Sequence, residues 1–162
     1  MPMGEFVYSS VLPGARYDEL AELVFFNRQQ ERFRADIVGA IERYGIPEIV
    51  VTKDALRFTV GDLGEVQALY GLDGGTARAR LAGVMLYART SPEKIVVLHI
   101  VVAPEYASNG PRSDRLLALK LIEQLRKLGR AIKGVTTIEI LYGGRTTAIA
   151  VAPHQRTKTK SL

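Results

Sequence analysis

Apolar positions change their period several times along this 162-residue chain, and the changes mark out its elements. From Tyr17 the series Leu20, Leu23, Val24 and Phe26 steps by three or four residues, as an amphipathic helix requires. Phe33, Ile37, Val38 and Ile41 repeat the pattern until Gly45 and Pro47 stop it. The chain then turns β-rich. Glu48 to Thr52 and Ala55 to Val60 read as strands joined around Lys53-Asp54, and Gly61-Asp62-Leu63-Gly64 as a turn. Val66 to Leu72 is a further strand, and Asp73-Gly74-Gly75 a hairpin turn before Ala77 to Arg89. Ser91-Pro92-Glu93-Lys94 leads into Ile95 to Ala103, a continuous apolar run that predicts a strand buried on both faces in mid-sheet.

From Ser113 the helical period returns. Leu117, Leu121, Leu125, Leu128 and Ile132 form one stripe, with Ser113 as the expected N-cap, Asp114 in the first turn and Gly134 just past the end. Val135 to Tyr142 reads as a strand, Gly143-Gly144 as a hairpin turn and Thr146 to Ala152 as the return strand. The pattern thus predicts one α/β (α+β) domain over residues 1–152, a mixed, mostly antiparallel sheet flanked by helices. Residues 153–162 are polar and basic and are expected to form a disordered tail. Phe25, Phe26 and Phe33 are assigned to the core in preference to an acyl pocket or a dimer face.

Composition narrows the chemistry. Cysteine is absent, which excludes a disulfide framework, a thiolate metal site and a cysteine nucleophile, and fits a reducing, cytoplasmic setting. His99 and His154 are the two histidines, and no metal-ligand spacing such as HExxH accompanies them, so no metal is expected. The first residues lack the basic cluster and apolar run of a signal peptide. The run from Ile95 to Ala103 is far shorter than the ~20 residues of a membrane helix, so the protein is expected to be soluble, with no membrane partner.

The net charge of +5 is localised. Arg112, Arg115, Lys120, Arg126, Lys127, Arg130 and Lys133 face only Asp114 and Glu123 in the same stretch, and Arg156, Lys158 and Lys160 follow in the tail. A basic helix and tail can attract nucleic acid by counterion release. No nucleic-acid motif or stacking series accompanies them, so a solvated helix face is the preferred reading and a nucleic-acid accessory role ranks third among the functions.

The junction Val102-Ala103-Pro104-Glu105-Tyr106-Ala107-Ser108-Asn109-Gly110-Pro111-Arg112-Ser113 carries the chemistry. A buried strand, a glycine-containing loop and a helix that opens with unpaired N–H groups make an anion site, and Arg112 and Arg115 add charge suited to a pyrophosphate. The run V-x-P-x-Y, then Gly110, then an amphipathic helix with Leu116-Leu117 and another strand, resembles the acyl-CoA-binding core of the GNAT family of N-acetyltransferases. The resemblance implies a GNAT-like fold and an acetyl-CoA or other acyl-CoA substrate. It also implies transfer of the acyl group to a small-molecule or protein amine. On that reading Val102, Asn109, Gly110, Arg112 and Ser113 hold the CoA. The family's turn usually reads R/Q-x-x-G-x-G/A; here Ala107 replaces its first polar residue and Arg112 its second small one, while Pro111 removes an N–H donor.

His99 on the strand and Tyr142 at the end of the next are the catalytic candidates, as general base and as proton donor to the departing thiolate. A core histidine bonded to backbone is the competing reading of His99. Glu93 and Glu105 flank its strand and could act through water, against the simpler reading of solvated acids. The alternative function is a non-catalytic GNAT-fold binding or assembly protein that has lost the CoA site; a homodimer is open in either case.

Overall fold

The computed structural model describes residues 6–25, 41, 43–74, 79–106, 116–142 and 145–151. Eight strands form one open, largely antiparallel sheet: β1 (Phe6–Ser9), β2 (Pro47–Val51), β3 (Leu56–Val60), β4 (Gly64–Asp73), β5 (Arg80–Ser91), β6 (Lys94–Val102), β7 (Thr137–Tyr142) and β8 (Arg145–Ala150). Their order is β2-β3-β4-β5-β6-β7-β8, and β1 joins β4. The long β4 is shared along one edge, Gly64–Val66 pairing with β3 and Tyr70–Asp73 with β1. Only β6 and β7 run parallel, as expected where a helix crosses between two strands. The mixed α+β sheet predicted from the sequence is present. The pattern gave no hint of β1, whose four residues are too few to show a period.

Two helices flank the sheet, α1 (Tyr17–Phe25) and α2 (Leu117–Ala131). In α1, Leu20, Leu23 and Val24 are buried, and the Glu19 carboxylate accepts the Leu81 N–H at 3.0 Å, tying the first turn to β5. Phe25 is 38% exposed at the helix end, so it does not belong to the core as expected; Phe26 and Phe33 lie outside the described residues. The second predicted helix is described only at its end. There Ile41, Arg43 and Tyr44 are helical and the Gly45 N–H bonds Ile41 O at 2.8 Å.

Helix α2 departs from its predicted frame at both ends. It begins at Leu117 rather than at Ser113, and Leu116 at its N-cap holds a left-handed φ of 52° with no side-chain cap. Leu117, Leu121 and Leu125 are buried as predicted, but the stripe continues to Gly129, and Leu128 and Ile132 are exposed. Steps of four residues keep the buried line on the sheet. At the last step only glycine fits, because a Cβ there would lie 3.2 Å from Val151. The helix stops at Ala131 with Ile132 extended, and Gly134 supplies its positive φ of 92° in the following turn.

Register assigns the faces. Gly71, Gly83 and Val102 are aligned across β4, β5 and β6, and Leu117 of α2 sits against both glycines. One residue along, Tyr70, Val84 and Val101 share the opposite face, as do Ala68, Leu86 and His99. Both faces are buried at the centre, where α1 also contacts β5 and β6. The apolar run of β6 therefore reflects cover on two sides, as its sequence suggested.

Candidate active site

The site is built from a break in the sheet. In β6, Val97 pairs with Tyr87 and His99 with Leu86, so Leu98 is an extra residue, a β-bulge. On the other edge of β6 the parallel ladder with β7 runs from Lys94↔Thr137 to Val97↔Ile140 and goes no further. A bulge raises local twist and bends its strand. Here it falls on the residue at which β6 and β7 part.

Beyond that point β6 continues to Val102 with β5 alone. The Ala103 N–H bonds Ala82 O at 2.7 Å, which fixes the alternation: Val101 and Ala103 turn their backbone groups to β5, and Ile100 turns its N–H and C=O to the side that β7 has left. Parting strands thus leave backbone hydrogen-bonding groups along one wall of a wedge. His99 lies on the β6 wall of this wedge, and the backbone of Tyr142 ends the β7 wall, paired with Arg145.

Burial dominates the electrostatics of His99. It pushes the imidazole down from 6.5 to about 4, and Nε2 is buried without a hydrogen-bond partner. The reading of a core histidine bonded to backbone is not met at this nitrogen. The ring is neutral at pH 7, so it can take up a proton but holds it weakly.

The wide end of the wedge is organised by polar pairs. After β6 a single 3-10 turn, Pro104–Tyr106, is fastened to the β4–β5 hairpin twice: the Tyr106 hydroxyl donates to the Asp73 carboxylate, and Arg80 pairs with Glu105. Phe6 stacks edge-on against Tyr106 at 5.6 Å between ring centroids, and the Lys120 ammonium lies 5.3 Å above the Phe6 ring. Lys120, in the first turn of α2, adds positive charge where the helix dipole is already positive. Leu117 seats that end of the helix on the sheet because Gly71 and Gly83 carry no Cβ; at Gly83 one would lie 2.9 Å from Leu117 and 3.0 Å from Val101 O.

Of the predicted site residues, His99, Val102 and Tyr142 border the wedge, while Asn109, Gly110, Arg112 and Ser113 lie outside the described residues, as does Ser113 in its expected capping role. Glu105 is held by Arg80 and is not a solvated acid. Glu93 is exposed in the β5–β6 turn, at the opposite end of β6, where its backbone carbonyl accepts the N–H groups of Thr136 and Thr137; it is far from His99. Asp73, Arg80 and Lys120 escaped the sequence reading because no local spacing links them. Glycines at 71 and 83, inside strand patterns, were the available signal of a close approach.

Among the described residues no cluster of three or more His, Asp or Glu side chains has the arrangement of a metal site, and no helix is long and apolar enough to cross a membrane. Comparison of the chain with protein-family models, with curated proteins and with solved structures gives no match.

Proposed function

We propose that the protein is a GNAT-like N-acyltransferase that moves an acetyl or other acyl group from acyl-CoA to an amine. The observation that carries this reading is the coincidence of the Leu98 bulge with the end of the β6–β7 ladder after Val97↔Ile140. An amide-bearing arm such as pantetheine can occupy the wedge as a surrogate strand, exchanging hydrogen bonds with the Ile100 backbone. The pyrophosphate then falls to Asn109, Gly110, Arg112 and Ser113, next to the N-terminal end of α2.

In the reaction the nitrogen of a neutral amine attacks the thioester carbonyl carbon, giving a tetrahedral oxyanion held by strand N–H groups. His99 accepts the proton lost from nitrogen, the C–S bond breaks, and Tyr142 protonates the departing thiolate. A base held near pH 4 is weak, which restricts His99 to removing the acidic proton of the adduct; the acceptor must arrive already neutral.

A second reading rests on a separate observation. Glu105 is neutralised by Arg80, and His99 is a poor base, which supports a scaffold with this fold that works by binding alone. Calorimetric titration with acetyl-CoA and with free CoA separates the two. Micromolar binding that Arg112→Glu abolishes, in a variant with an unchanged circular dichroism spectrum, supports the acyltransferase and justifies an amine screen. Absence of binding to a folded protein removes the CoA site and leaves the scaffold.

A further inference from the structure

The two ends of the sheet are finished differently. At β8 the terminal strand carries Arg145, Thr146 and Thr147, and Arg130 donates to Val151 O at 3.0 Å just beyond it. At β2 the terminal strand is Pro-Glu-Ile-Val-Val, with Val50 40% and Val51 60% exposed and Ile46, immediately before it, 60% exposed. Natural sheets blunt such an edge with charge or cover it. The bare edge of β2 carries a single charged residue, Glu48.

Backbone direction at this edge follows from the ladder. The Leu56 N–H bonds Leu12 O at 2.9 Å, on the side of β3 away from β2, so the Val51↔Leu56 pair exchanges no hydrogen bonds and Val51 turns its N–H and C=O outward. Ile49 and Pro47, at the two-residue period, do the same. Five outward groups are therefore presented: the N–H and C=O of Ile49 and Val51, and the Pro47 carbonyl.

We infer that β2 pairs antiparallel with β2 of a second copy of this chain, about a two-fold axis at Ile49. In this register the two Ile49 residues exchange both their hydrogen bonds, and each Val51 N–H donates to Pro47 O of the other copy. Proline has no N–H to lose there, so this register leaves only the Val51 carbonyl unmatched. Side chains agree with it. On one face Val51 meets proline and Ile49 meets isoleucine, continuing the apolar row of Leu56, Phe58 and Val60. On the other, Glu48 falls beside Val50 of the other copy rather than beside its own twin. Arg57, paired with that Val50 and half-exposed, stands in the same row, one strand farther in. Charge complementarity thus favours a second copy over an arbitrary extended peptide.

The absence of cysteine makes the test direct. Sedimentation equilibrium of the full chain is expected to give twice 17.8 kDa. Val51→Lys, at a site where the isolated subunit leaves the side chain in water, is expected to return the mass to that of one chain with an unchanged circular dichroism spectrum. Ile49→Cys is expected to form an intermolecular disulfide on mild oxidation, since directly opposed residues lie within the roughly 4.4–6.8 Å Cα separation a disulfide spans. Val50→Cys, displaced by two residues from its twin, is expected not to. A wild-type monomer overturns the proposal and leaves the edge to an extended segment of another protein. A dimer that Val51→Lys leaves intact and Ile49→Cys does not cross-link also overturns it, by moving the interface elsewhere.

Discussion

Val97 of β6 and Ile140 of β7 are the last parallel pair before the two strands separate, and the next residue of β6, Leu98, is the bulge. Beyond this pair the two backbone edges of β6 have different fates. Val101 bonds to β5, whereas Ile100 turns to the wedge. Amide hydrogen exchange should therefore be fast at Ile100 and slow at Val101. Saturation with acetyl-CoA should slow Ile100 selectively if the wedge is the acyl-CoA site; an Ile100 amide already protected in the free protein would contradict the described edge.

His99 should make the protein acid-sensitive. Its folded value of about 4 lies below the unfolded 6.5, so between these limits the unfolded chain binds more protons and stability falls as pH falls. Above pH 6.5 the penalty is absent; below pH 4 it is complete, at up to about 3 kcal/mol. Chemical denaturation of His99→Gln against the wild type across this range should show a flatter profile for the variant. Parallel profiles would mean that the imidazole is solvated.

The two glycines under Leu117 should respond unequally to a methyl group. At Gly71 the nearest atom to an added Cβ is the flexible tip of Leu117 at 3.1 Å, while at Gly83 the backbone oxygen of Val101 also stands in the way at 3.0 Å. Gly83→Ala is expected to cost about 1–3 kcal/mol and Gly71→Ala less. Thermal denaturation of both variants checks the order. Acyl-CoA affinity should follow it, because Leu117 seats the N-terminal end of α2.

Gly45 and Gly61 touch backbone to backbone. A Cβ on Gly45 would lie 2.5 Å from Gly61 Cα, one on Gly61 would lie 2.5 Å from Tyr44 O, and both residues have positive φ, 108° and 43°. Each alanine substitution should be strongly destabilising, and the double variant less so than the sum, since one separation of the two segments relieves both clashes. A double-mutant cycle by urea denaturation measures this; strict additivity would argue against the contact.

Tyr70 is fully buried, its hydroxyl has no hydrogen-bond partner, and burial pushes it up to about 12 against the opposing pull of Arg57. Tyr70→Phe removes an unsatisfied group and is expected to stabilise the fold, by about 1 kcal/mol. A loss of stability of similar size would reveal a partner for the hydroxyl.

The amino-acid sequence by itself determined the elements whose pattern is local. The period of α1, the β-rich middle, the two-sided apolar run of β6 and the turns around Gly61 and Gly74 could all be read from neighbours in the chain, because side-chain direction repeats every 3.6 or 2 residues whatever lies opposite. Tertiary structure decided the rest. The bulge at Leu98 is invisible in a run of valine, leucine and isoleucine, since it depends on how β5 and β6 align and no residue type there announces it. The replacement of Leu128 by Gly129 on the buried side of α2 was set by Val151, and the late start of that helix by Leu117 settling on Gly71 and Gly83. His99 could be placed on its strand from sequence, but its lowered basicity comes from burial, which only the packed sheet imposes. The Tyr106–Asp73 and Arg80–Glu105 pairs join residues far apart in the chain, and no spacing in the sequence could have foretold them.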